Sequence, residues 1–152
     1  MSEAMSSATK KPTGTPVTYQ DYLTFPDNDG IRKEIIEGEL FMTPAPSTRH
    51  QLILGRLLKV VDDFVLKEDK GIVLFAPCDV IFSSINVMQP DILFISNENL
   101  NILTEKNIQD APDLLVEILS PFTLDNDRIY KKVAFPVKII HSGGKLEKRT
   151  IL

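Results

Sequence analysis

The sequence predicts an α/β fold in which one long helix packs against a β-sheet. Short, nearly continuous apolar runs begin at Ile72, Ile92 and Leu114, and turn-forming residues bound them, which is typical of buried strands. Apolar side chains recur at helical spacing between residues 48 and 67. The chain has 152 residues, of which 43% are hydrophobic, so it can bury the core of one domain.

The N-terminal half begins with residues 1–16, a stretch of small, polar and proline residues that predicts a disordered leader. Thr18, followed three residues later by Asp21, predicts a capped short helix. Residues 31–42 are interpreted as two strands around a turn at Gly38, which can supply a positive φ. Residues 48–67 then form the long helix.

The C-terminal half continues with strands near residues 72–75 and 79–82, followed by the strands that begin at Asp91 and Leu114. A further helix is predicted to start near Asp125. A proline soon afterwards ends that helix, and the following residues are weakly patterned. We therefore expect a domain over residues 17–132 and an atypical tail over residues 133–152, to which no strand is assigned.

Composition excludes several classes of protein. The formal net charge of −4 gives no long-range attraction to nucleic acid, although a local basic cleft is still compatible with it. Cys78 is the only cysteine, so no intrachain disulfide can form, and a reducing, cytoplasmic location is expected. Because the chain has one cysteine and only two histidines, His50 and His141, no structural zinc site built from cysteine and histidine is expected. No apolar run approaches the roughly 18 residues of a membrane span, so no membrane partner is expected.

Two carboxylates lie in matching apolar settings. Asp91 begins one predicted strand, and Glu117 lies inside another. An acid buried in a strand costs several kcal/mol, roughly, unless something pairs with it. A shared divalent cation is the simplest partner for two such acids. The alternatives are that Asp91 only caps a turn after Pro90 and that Glu117 faces solvent on a sheet edge.

Four stretches together resemble the Uma2 family of restriction-endonuclease-like proteins, within the PD-(D/E)XK nuclease superfamily. They are KEIIEGEL (33–40), PAPSTRHQ (44–51), QPDILF (89–94) and APDLLVEILSP (111–121). Each motif is weak alone, but four in one order at plausible spacing are fairly specific. The resemblance implies a mixed β-sheet flanked by helices with a restriction-endonuclease-like core. It also implies hydrolysis of DNA phosphodiester bonds with Mg²⁺ or Mn²⁺.

The resemblance also assigns roles to single residues. Asp91 and Glu117 match the metal-binding acids, and Lys131 matches a displaced catalytic lysine that would orient water or stabilise charge on phosphate. Glu34 resembles the acid of the opening hairpin, and His50 the histidine at the start of the long helix. Ordinary structural alternatives are a solvated lysine, an exposed hairpin acid and a histidine bonded to backbone.

The chain departs from the superfamily pattern in two places. Leu119 stands where a lysine is usual, and the apolar, aromatic strand expected after Lys131 is missing, so the C-terminal part of the core is expected to be incomplete. These departures keep open an alternative, a non-catalytic or decayed nuclease-fold protein that acts as a binding module. A homodimer is expected by analogy only.

Overall fold

The computed structural model describes residues 14–26 and 30–118 in full and residues 137–141 as backbone. Two sheets stand beside one long helix. The helices are α1 (Tyr19–Tyr22), α2 (Thr48–Lys67) and a 3-10 helix (Asn97–Ile102). The strands are β1 (Arg32–Ile36), β2 (Glu39–Thr43), β3 (Gly71–Phe75), β4 (Val80–Ser83), β5 (Asn86–Met88), β6 (Ile92–Ser96), β7 (Ile108–Gln109), β8 (Leu114–Ile118) and β9 (Val137–His141).

The first sheet has the order β2-β1-β5-β4-β7, with a parallel β4–β7 pair and antiparallel neighbours elsewhere. The predicted hairpin is confirmed as β1 and β2, and Glu37 and Gly38 both have positive φ, at 53° and 76°. That combination matches the twist of a tight hairpin turn. A Cβ on Gly38 would also lie 2.5 Å from Cβ of Pro16, so this position requires glycine. The predicted capping box of Thr18 and Asp21 is confirmed as well.

The second sheet has the order β3-β6-β8-β9, and all its neighbours are antiparallel. β9 corrects the sequence analysis, which assigned no strand to residues 133–152. It pairs with β8 over five positions, from Ile118 opposite Val137 to Leu114 opposite His141. The short run contains polar residues and follows a proline, so its local pattern is ambiguous, and the pairing with β8 decides its structure.

Helix α2 has the predicted bounds, and the side chain of Ser47 accepts a hydrogen bond from the His50 backbone N–H as its N-cap. Leu54, buried on its inner face, belongs to a cluster with β6 and β8 residues: Ile92, Val116 and Ile118. This cluster covers one face of the second sheet.

The opposite face of the second sheet packs against the first sheet and the 3-10 helix. The buried residues where these three elements meet are Val80, Leu93, Ile95, Ile102, Ile108 and Leu115. β6 and β8 are therefore buried on both faces, which explains their nearly continuous apolar sequences. Because side chains alternate along a strand, positions 91 and 117 share this inner face with Leu93 and Leu115. The fold thus turns both acids toward the first sheet.

Ile95 offers a test of this core. It is fully buried between the sheets. We expect Ile95→Ala to lower the free energy of unfolding by about 2–5 kcal/mol, because it leaves a cavity where the sheets meet. Urea denaturation checks this, with Val60→Ala as the control, because Val60 is 70% exposed on α2. Equal small losses in both variants would contradict the assigned core.

The predicted leader and the helix predicted near Asp125 lie outside the described residues, except for the last three positions of the leader. Among the described residues, no helix combines the length and the apolar character that crossing a bilayer needs.

Candidate active site

The pairing of β6 with β8 places Asp91 opposite Glu117. Ile92 pairs with Val116 in the antiparallel register, so one further step joins positions 91 and 117. Side chains directly opposite across antiparallel strands have Cβ atoms about 4.5–5.5 Å apart. The two acids therefore flank one point beside the N-terminal end of β6.

Strand β1 brings a third acid to the same point from the first sheet. Arg32 and Glu34 are two residues apart on β1, so their side chains share a face, while Lys33 and Ile35 are buried on the other. Nζ of Lys33 donates a hydrogen bond to the Pro26 carbonyl at 2.8 Å. Because side chains alternate along β1, Arg32 faces the acids, whereas Lys33 points to the other side and binds the Pro26 carbonyl.

The Arg32 guanidinium contacts all three acids. Its Nη2 lies 3.0 Å from Oε1 of Glu34 and 3.4 Å from Oε2 of Glu117, and its Nη1 lies 3.2 Å from Oδ1 of Asp91. The Asp91 side chain is 2% exposed and that of Glu117 is 19% exposed. Glu117 is therefore mostly buried, and β8 is an inner strand between β6 and β9. Both findings remove the alternative of an acid exposed on a sheet edge.

The second oxygen of Asp91 is held separately. Its Oδ2 accepts a hydrogen bond from the Ile118 backbone N–H at 2.6 Å and lies 3.1 Å from Nε2 of His50. The carboxylate is thus fixed from β8 and from the first turn of α2, while Oδ1 faces Arg32. Asp91 therefore does more than cap a turn. Nδ1 of His50 is buried without a hydrogen-bond partner among the described residues.

Glu34 is positioned by a hydrogen-bond network that sequence reasoning missed. Its Oε1 accepts a hydrogen bond from the Gln89 backbone N–H at 2.8 Å. The Gln89 side-chain amide donates to Oδ1 of Asp79 at 2.7 Å and to the Tyr22 hydroxyl at 3.2 Å, and that hydroxyl donates to Asp79 at 2.8 Å. Helix α1 is thereby joined to the segment that holds Glu34 and precedes Asp91.

The charges of the site perturb one another. Burial is the main cause that raises the pKa of Glu117, to about 8; Arg32 lowers it, and Glu34 and Asp91 raise it further. Burial alone would lower the pKa of Arg32, but Glu34, Glu117 and Asp91 together raise it above its ordinary value. Arg32 therefore stays charged, and Glu117 binds a proton more readily than an exposed glutamate does.

Four of the five residues singled out from the sequence converge here: Glu34, His50, Asp91 and Glu117. The fifth, Lys131, lies outside the described residues, as does Leu119. The central residue, Arg32, was not predicted. The available signal was its position two residues before Glu34, which places both side chains on the same face of a strand. Cys78 is half-buried, and burial raises the pKa of its thiol, which disfavours a reactive thiolate.

The donor chemistry of the site fits a hard divalent cation. Mg²⁺ prefers oxygen ligands and often takes only one or two carboxylates, and here three carboxylates approach one cationic group. Among the described residues, however, no three Asp, Glu, His or Cys side chains stand as a ready metal-binding cluster. The Arg32 guanidinium lies between the acids. The donor atoms thus fit such a cation in chemistry, while the Arg32 guanidinium occupies the point that they share.

A family comparison supplies the identity of the chain. The sequence model of the Uma2 family, described as "Putative restriction endonuclease", matches residues 19–138. The chain belongs to the Uma2 family. The match includes all four converging residues, and the family named from the sequence motifs is confirmed. No curated protein matches the chain.

The fold of this Uma2 protein has a counterpart among solved structures. It is similar to the crystal structure of "a putative nuclease belonging to DUF820" from Anabaena variabilis ATCC 29413, with 20% sequence identity and a TM-score of 0.60. The similarity covers 87% of this chain and 83% of the other. The predicted mixed α/β fold of the restriction-endonuclease-like class is therefore confirmed.

Proposed function

We propose that this Uma2 protein is a divalent-cation-dependent endonuclease that hydrolyses phosphodiester bonds in DNA. The observation that carries the proposal is the convergence of Asp91, Glu117 and Glu34 on one point, with the Arg32 guanidinium between them. The family description and the similarity to a protein titled a nuclease support the reaction class. They do not favour the alternative of a non-catalytic relative.

Asp91 and Glu117 are the residues that would hold the cation, Mg²⁺ or Mn²⁺. The Ile118 N–H and His50 hold Oδ2 of Asp91, so Oδ1, which faces Arg32, is the oxygen offered to the cation. When bound, the cation would polarise a phosphate oxygen and acidify a bound water. His50 keeps Asp91 in its orientation through the 3.1 Å contact.

Glu34 and Lys131 complete the proposed catalytic set. The backbone N–H of Gln89 fixes Glu34 beside the two metal-binding acids, where its carboxylate can orient a water. Lys131 is assigned by family position to stabilise the charge that builds on phosphate. Its place relative to the other residues stays a prediction.

DNA is the proposed substrate, although the chain has a net charge of −4. Because that charge gives no long-range attraction to a polyanion, binding must depend on the local cation and on nearby basic side chains. Cleavage should therefore be strongly salt-dependent. The homodimer and the cytoplasmic location expected from the sequence stay predictions; sedimentation and cell fractionation would test them.

Incubation of the purified full chain with supercoiled plasmid DNA tests the proposal. We expect nicked and linear products with Mg²⁺ or Mn²⁺ and none with EDTA, and the activity should elute with the protein on gel filtration. Intact DNA under all conditions, with retarded migration of the DNA by the protein, would support the binding-module alternative instead.

A further inference from the structure

Arg32 holds the position at which the three acids converge. Its two terminal nitrogens contact Asp91, Glu34 and Glu117 at 3.0–3.4 Å. Charge-assisted contacts of this type are commonly about 2.7–2.9 Å, so each of the three is longer than the optimum. The guanidinium is therefore shared among three partners and tightly bound to none.

The pairing is also incomplete. Nε of Arg32 is buried and has no hydrogen-bond partner among the described residues. A buried unpaired donor lowers the stability of the arrangement that contains it. One guanidinium faces three acids, so Arg32 cannot pair fully with each of them.

The Arg32 side chain is partly exposed to solvent. Arg32 begins β1 and is 24% exposed, whereas its partner Asp91 is 2% exposed. Two of the acids are fixed independently of Arg32, since the Ile118 N–H and His50 hold Asp91 and the Gln89 N–H holds Glu34. Departure of the guanidinium would leave at least these two acids in place.

We infer that Arg32 is an internal counter-ion that a divalent cation must displace from Oδ1 of Asp91 and Oε2 of Glu117. The inference rests on the proposed function and adds that Arg32 regulates access of the cation to the site. With Arg32 in place, its guanidinium occupies the point that the acids share, and the site is closed to the cation. The apparent affinity for the cation is then the intrinsic affinity multiplied by the fraction of molecules in which Arg32 is out.

Binding of Mn²⁺ to the full chain, measured by calorimetry, tests this inference. We expect Arg32→Met to bind Mn²⁺ about tenfold or more tightly than the wild type, because the competing cation is gone. In EDTA the same variant should melt at a lower temperature, because three acids lose their counter-ion. The matched control is Arg56→Met, which removes an exposed arginine on α2 and should change neither quantity.

Adding Asp91→Asn distinguishes a failure of the proposed metal site from a failure of the role inferred for Arg32. If wild type and Arg32→Met bind Mn²⁺ but neither binds it once Asp91→Asn is added, the proposed metal site is supported. The affinities of wild type and Arg32→Met for Mn²⁺ then test the role of Arg32. If Asp91→Asn leaves binding unchanged, the proposed metal site is wrong, and the inference fails with it. If the site stands but Arg32→Met binds no more tightly than the wild type, Arg32 is not a competitor.

A measurement on the wild type covers the case in which Arg32→Met fails to fold. A guanidinium held by acids rotates slowly and gives separate Hη signals in heteronuclear NMR spectra. Saturating Mg²⁺ should merge the Arg32 signals as the side chain is released into solvent. Separate, unshifted Arg32 signals in the presence of Mg²⁺, while those of the Ile118 amide move, would overturn the inference.

Discussion

Asp91→Asn should abolish DNA cleavage and remove the stabilisation by divalent cations. The substitution keeps the shape of the side chain, but it removes the negative charge and replaces one of the two carboxylate oxygens with an NH₂ group, which cannot bind a cation. We expect activity to fall by about a hundredfold to ten-thousandfold, because the cation contributes several kcal/mol of transition-state stabilisation. Thermal melts with and without Mg²⁺ and plasmid cleavage at equal protein concentration measure both effects.

The gain in stability that the thermal melts should show can be calculated from the cation concentration. At a cation concentration about a hundredfold above Kd, the wild type should gain about 2.7 kcal/mol, whereas Asp91→Asn should gain nothing. Asp63→Asn is the matched control, because this aspartate is 63% exposed on α2 and pairs only with Lys59 in the described structure. An equal gain in wild type and Asp91→Asn would show that the cation binds elsewhere.

Glu117→Gln should also abolish cleavage, yet it should stabilise the metal-free protein as pH rises. Burial raises the folded-state pKa of Glu117 to about 8, from an ordinary value of 4.5. Below pH 4.5 both the folded and the unfolded state hold the proton, so the shift has no effect. Between pH 4.5 and 8 the unfolded state ionises first, and the wild type loses stability as pH rises. Glutamine has no proton to lose and escapes this effect.

The measurement is urea denaturation in EDTA at several pH values. Relative to wild type, Glu117→Gln should gain about 2–4 kcal/mol in unfolding free energy between pH 5 and pH 8, since one pKa unit corresponds to about 1.4 kcal/mol. Glu105→Gln, at an exposed turn position, is the control and should show no such trend. A stability difference that does not change with pH would contradict the raised pKa of Glu117.

The parts of the fold that sequence predicts best are those with local signals. The bounds of α2 follow from the Ser47 cap and the helical spacing of apolar residues. The hairpin follows from the glycine in its turn. β6 and β8 follow from apolar runs that reflect burial on both faces. β9 lacks such a signal, because its structure depends on hydrogen bonding to β8.

The residues of the candidate site also differ in how well the sequence predicts them. Asp91 and Glu117 stand out because an acid in a buried strand is costly and therefore conspicuous. Arg32 does not stand out, since its partners Asp91 and Glu117 are 59 and 85 residues away in the sequence. Only the antiparallel register and the packing of the two sheets bring these charges together. The Tyr22–Asp79–Gln89 network depends on the same long-range placement.

Anomalous diffraction from crystals soaked in Mn²⁺ tests the central claim most directly. We expect a manganese peak bound by Oδ1 of Asp91 and a carboxylate oxygen of Glu117. A fully occupied manganese peak elsewhere, with the Asp91–Glu117 position empty at saturating Mn²⁺, would contradict it.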